Sequence, residues 1–71
     1  MPEIIISSEY IKLESALKKA GVVSTGGHAK MVIQNGKVKV NGESCLQRGK
    51  KLRNGDTVEY EGKTFFIKYA G

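Results

Sequence analysis

Two adjacent glycines, Gly26 and Gly27, stand directly before an amphipathic run in the stretch Ser24-Thr25-Gly26-Gly27-His28-Ala29-Lys30. Glycine is a poor helix former, so a pair of them at a helix start asks for another reason. Removing side-chain bulk there lets an approaching group reach the first backbone N–H donors. Those donors carry the partial positive charge of the helix, which makes the first turn a ready anion site. Ser24 or Thr25 offers a capping hydroxyl, Lys30 a point charge on a flexible stem, and His28 a proton-sensitive contact. Phosphate is the anion that suits these groups. The stretch is not a Walker A loop, because it lacks the G-x-x-x-x-G-K-[ST] spacing. The competing explanation is steric: the glycines relieve crowding between two close helices.

The rest of the ionisable inventory excludes more than it suggests. Cys45 is the single cysteine and His28 the single histidine, so neither an internal disulfide nor a Cys/His metal cluster can be assembled, and no cofactor is expected. A lone Cys beside strand-like sequence reads as a small apolar filler. Nothing supplies a nucleophile with its base, or a pair of carboxylates, and the expectation is a protein that is not an enzyme. The formal net charge is +5, and its distribution says more. From Lys12 to Arg53 ten basic residues face two acidic ones, a local surplus of +8, while both flanks are net acidic. That is the footprint expected for a polyanion partner, with a solubilising lysine coat as the bland alternative.

With 71 residues the chain holds one small domain, 1–71, and a modest core. No long apolar run or signal-like amino terminus is present, so a cytoplasmic protein without membrane attachment is expected. Residues 3–6 suit a short strand. Leu13, Ala16, Leu17 and Ala20 recur at helical spacing, and Gly21 stops that helix. A second helix has Ala29, Val32 and Ile33 on one face with Met31 near its edge, and Gly36 follows as a left-handed cap. Lys37-Val38-Lys39-Val40 alternates and turns at Asn41-Gly42, a strong hairpin signal with one apolar and one basic face. Thr57–Glu61 and Thr64–Tyr69 flank Gly62 as a second hairpin, with Leu52–Asp56 as the turn leading into it. The segment Gln47–Arg53 between the hairpins is read as a loop too charged to be core. The fold class is α+β: a two-helix hairpin packed on a small, mainly antiparallel sheet. Tyr10, Tyr60, Phe65, Phe66 and Tyr69 fall outside the basic centre and are assigned to packing helices onto the sheet rather than to base stacking, with Tyr10 and Tyr69 as the two that could be exposed.

From Ile11 to Tyr60 the succession IKLESALKKAG, STGGHAKMVIQNGKVKVNGE and GKKLRNGDTVEY resembles the RNA-binding domain named after ribosomal small-subunit protein four, the S4 domain with its αL motif. The family pattern reads approximately R-L-D-x-x-L, a glycine-bearing connector, S-R-x-x-A-x-x-x-I-x-x-G-x-V-x-V-N-G, a basic loop and G-D-x-I. The glycine pair, the short extensions and RGKKLRNGD make the chain look most like the stand-alone bacterial YaaA/YbcJ-like members.

The resemblance implies that the helices and the following hairpin present one basic surface to structured RNA. Ribosomal RNA or a ribosomal subunit is the implied partner, with transfer RNA as a further candidate and a monomer as the implied state. Carried over by position, Lys12 stands for the family Arg and Thr25 for the Ser that opens the second helix. Lys37, Lys39 and Asn41 match the first strand and its turn. Gly26 replaces the Arg that follows the Ser, so a backbone-amide contact at Gly26, Gly27 and His28, supported by Lys30, must replace a guanidinium fork. Arg48, Lys50, Lys51 and Arg53 complete the expected RNA surface. Many cations and few stacking aromatics predict shape and phosphate recognition. Two other classes fit the same charges: an adaptor for proteins whose RNA site has degenerated, and a binder of DNA or anionic membranes.

Overall fold

The computed structural model describes residues 2–71, with principal extents of 31 × 22 × 18 Å. Nine elements follow in chain order: β1 (Glu3–Ile6), β2 (Ile11–Lys12), α1 (Leu13–Lys19), α2 (Gly26–Gln34), β3 (Val38–Val40), β4 (Glu43–Ser44), β5 (Lys51–Leu52), β6 (Thr57–Tyr60) and β7 (Lys63–Tyr69). The main sheet has the order β1-β7-β6-β3-β4. Only β1 runs parallel to its neighbour, with Ile4 beside Ile67; the other pairs are antiparallel. The two-helix hairpin and mainly antiparallel sheet expected from the sequence are both present.

Period decides which residues enter the core. Along β3, β6 and β7 alternate side chains turn inward, burying Val38, Val40, Val58, Tyr60, Phe65 and Ile67. Leu13, Ala16 and Leu17 from α1 meet Ala29, Val32 and Ile33 from α2 on the other side of the same cluster. Met31 falls outside the α2 stripe and is exposed. Burial, with the neighbouring Glu61 carboxylate adding to it, pushes the Tyr60 phenol above 10.0.

Both helices stop by the same device. At the end of α1, Gly21 N–H donates to Lys18 O and Val22 N–H to Leu17 O; at the end of α2, Gly36 N–H donates to Ile33 O and Lys37 N–H to Val32 O. These are paired bonds of the Schellman type, and Gly36 takes the left-handed conformation they require, at φ 72°. The Asn41-Gly42 turn has φ 52° and 87°, both positive as a type I′ turn demands, and Glu61-Gly62 repeats the geometry at 51° and 76°.

The segment Gln47–Arg53 departs from expectation. Lys51 and Leu52 form β5, which pairs antiparallel with β2 as a separate two-stranded ribbon, Ile11 opposite Leu52 and Lys12 opposite Lys51. Leu52 is fully buried. A two-residue strand is shorter than any window that reveals periodicity, and its partner lies in a different part of the chain, so local pattern carries no trace of it. Leu52→Ala should cost about 3 kcal/mol in urea denaturation. Lys51→Ala, on the solvent side of the same ribbon, should stay within about 0.5 kcal/mol.

Candidate nucleic-acid interface

The β2–β5 ribbon is anchored from below by Ile11 and Leu52 and from the side by α1. The first N–H groups of a helix have no partner within it. In α1 the basic loop supplies them: Leu13 N–H donates to Lys50 O at 2.9 Å and Glu14 N–H to Arg48 O at 3.1 Å. Lys12, the residue before the helix, makes no side-chain cap. Since Ile11 and Leu52 turn inward, the pleat turns Lys12 and Lys51 outward, and Arg53, two residues beyond Lys51, follows them. Lys12, Arg48, Lys50, Lys51 and Arg53 are thereby brought around one short ribbon, and each is exposed.

Lys12 directly opposite Lys51 is a like-charge cross-strand pair, an arrangement that destabilises the ribbon. The compensation comes from an aromatic ring that sequence reasoning had placed outside the basic centre. Lys51 Nζ lies 4.9 Å from the Tyr10 ring centroid and Arg53 Cζ 5.7 Å from it, both within cation–π range. Tyr10 precedes β2 in sequence but belongs to the cationic cluster in space. Of the other aromatics, Tyr60 and Phe65 are in the core as expected, and Tyr69 is exposed, the alternative the sequence left open for it.

Asp56 joins this cluster to the β3–β4 turn. Its carboxylate accepts from Arg53 N–H at 2.7 Å and from Asn41 Nδ2 at 3.1 Å, while Asn41 Oδ1 accepts from Thr57 N–H at 2.9 Å. Both ends of the Asn41 amide are engaged within the protein. Its structural task is to hold the turn against the Arg53 loop. On β3, Lys39 is exposed with Glu59 as its cross-strand neighbour. Lys37 follows the cap of α2, at the opposite end of that helix from Thr25, Gly26, Gly27 and His28. A helix of nine residues is about 13 Å long, so Lys37 and the first turn of α2 cannot serve the same phosphate.

The start of α2 is built differently from that of α1. Thr25 is the cap, its hydroxyl oxygen accepting from His28 N–H at 3.1 Å. Thr25, Gly26, Gly27, His28 and Lys30 are all exposed. A Cβ added at Gly26 would meet nothing within 4 Å, and one at Gly27 only the Thr25 hydroxyl at 3.9 Å. Neither glycine has a positive φ. Crowding between helices therefore does not explain the pair, and together the two glycines cost the start of the helix roughly 1 kcal/mol without structural return.

The S4 domain family matches residues 4–68. The chain belongs to the S4 domain family. Over 59 residues it is 46% identical to the probable ribosome maturation protein RlbA of Bacillus subtilis (strain 168), covering 83% of each chain. The solution structure of YbcJ from E. coli, described as revealing an αL motif involved in RNA-binding, superposes with a TM-score of 0.73 at 28% identity, over 96% of this chain and 87% of YbcJ. The 30S ribosomal protein S4e from Thermoplasma acidophilum shares the fold, with a TM-score of 0.68 at 21% identity, and this chain spans only 30% of it.

In this S4 domain the Asp56 bridge is a structural joint that can be tested. Asp56→Ala should lower stability by about 1–3 kcal/mol. It should also speed amide hydrogen exchange at Arg53 and Thr57 while leaving the β6–β7 amides protected.

Proposed function

We propose that this S4 domain is a non-enzymatic module of the cytoplasm that binds structured RNA, foremost ribosomal RNA during ribosome assembly, through phosphate contacts. The single observation that carries the reading is the row of exposed cations Lys12, Lys51 and Arg53 on a ribbon that the core and α1 keep in place, with exposed Arg48 and Lys50 in the loop whose carbonyls cap α1. Such a cluster costs self-repulsion when unliganded and gains by releasing counterions from a polyanion. Membership in the S4 domain family supports RNA as that polyanion, as does the likeness to a probable ribosome maturation protein. Transfer RNA offers the same backbone chemistry and is the second substrate of the class.

The start of α2 adds a second contact in this proposal. The N–H groups of Gly26 and Gly27, the Thr25 hydroxyl, His28 and Lys30 meet one phosphate, where the open glycine surface admits it closely. Lys37 and Lys39 contribute along β3, while Asn41 acts through the turn it holds. The domain works as a monomer, and recognition rests on the A-form backbone rather than on base sequence.

Binding to a labelled ribosomal RNA stem-loop should weaken steeply with salt. If about four phosphates are neutralised, log K against log salt should have a slope near −3 to −4, and Lys51→Ala should reduce its magnitude by about one. Duplex DNA of equal length competing equally well would defeat the proposal. The glycine pair gives an independent check. Gly26→Ala with Gly27→Ala should stabilise the fold by roughly 1 kcal/mol in thermal denaturation and yet weaken RNA binding. A variant that is stabilised and binds normally removes α2 from the interface.

A further inference from the structure

We propose that Tyr10 is a positioning residue for the RNA-binding cations: its ring holds Lys51 and Arg53 in place without neutralising them. The inference rests on the RNA reading given above and specifies how its cationic cluster is organised. Ile11 pairs with Leu52 and Lys12 with Lys51, so continuing the register sets Tyr10 across from Arg53 and diagonal to Lys51. All four side chains therefore share the outer face of the ribbon, while Ile11 and Leu52 share the inner one. The ring meets both cations, Lys51 Nζ at 4.9 Å and Arg53 Cζ at 5.7 Å from its centroid.

The choice of partner matters electrostatically. A carboxylate at position 10 would hold the same cations more strongly, but it would cancel charge that a phosphate backbone needs. The negative face of an aromatic ring attracts cations through its quadrupole and leaves the net charge intact. Lysine and arginine side chains also lose rotamer freedom when they bind a phosphate. Resting on a ring before the RNA arrives restricts them in advance, so less freedom is lost at binding. The backbone carbonyl of Tyr10 accepts from the Ser8 hydroxyl at 2.8 Å, which ties the segment leading into the ribbon locally.

The test uses the full chain, a labelled ribosomal RNA stem-loop, and the variants Tyr10→Phe and Tyr10→Leu, each made alone and together with Lys51→Ala and Arg53→Ala. Tyr10→Leu should weaken binding about fivefold, whereas Tyr10→Phe, which keeps the ring, should stay within about twofold of the parent. The salt slope of Tyr10→Leu should match that of the parent, because the same cations reach the RNA. The penalty should vanish when Lys51 and Arg53 are already alanine. Equal binding by Tyr10→Leu and the parent overturns the proposal. So does an undiminished penalty in the alanine background, which would make the ring itself the contact. Proton NMR of the free protein supplies a readout that needs no RNA: the Lys51 ε-methylene protons should be shifted upfield by the ring and return to the ordinary position in Tyr10→Leu. If the unsubstituted chain fails to bind the stem-loop, the RNA reading falls. The ring-current shift still decides whether Tyr10 holds the cations, and its absence overturns that placement.

Discussion

Two backbone hydrogen bonds, from Leu13 N–H to Lys50 O and from Glu14 N–H to Arg48 O, fix the relation between the first helix and the basic loop. A helix of seven residues is too short to be stable alone, and its opening donors need partners. By taking those partners from the loop, α1 gains a cap and the loop gains a position. With Leu52 sealed into the core next to them, the loop cannot swing away without uncovering apolar surface and stranding helix donors at once. Everything proposed for the cationic cluster follows from that double attachment.

The two helix starts are consequently used in opposite ways. That of α1 is closed by the protein's own carbonyls. That of α2 is capped only by Thr25 and lies open, with two glycines that neither the backbone conformation nor the packing requires. Helix starts attract anions because their N–H groups are unpaired, and only α2 keeps them available. Around the β2–β5 ribbon the balance is also unusual for a folding problem considered alone. Lys12 faces Lys51, and the Lys51 ammonium rests against a neutral ring. In the proposed reading, both places forgo stability of the free protein in return for contacts with a polyanion.

The comparison of sequence with structure shows where local signals end. Helix stops, the Asn41-Gly42 turn, the hairpin around Gly62 and the inward-facing strand residues were legible, because each depends on a few neighbouring residues: Gly36 after α2, Asn41-Gly42 after β3, Val38 and Val40 alternating with Lys39. The family resemblance, carried by motifs spaced along residues 11–60, also agreed with the family that the chain proved to belong to. What escaped was non-local. Leu52 looked like part of a charged loop, and Tyr10 like an aromatic outside the basic centre, since their partners are distant in sequence. Asn41 was legible as a turn residue, but not its bonds to Asp56 and Thr57.

The sequence by itself therefore determined the two helices, the two hairpins and the charge that suits a polyanion, because turn chemistry, hydrophobic period and charge count are properties of short stretches, whereas the openness of the α2 start was settled by its surroundings. Tertiary structure alone decided that the loop charges gather around a pinned ribbon and that Tyr10 lies among them. A two-residue strand pairing becomes favourable only when the core beneath it is formed, and cation–ring contacts then arise between residues that chain order keeps apart.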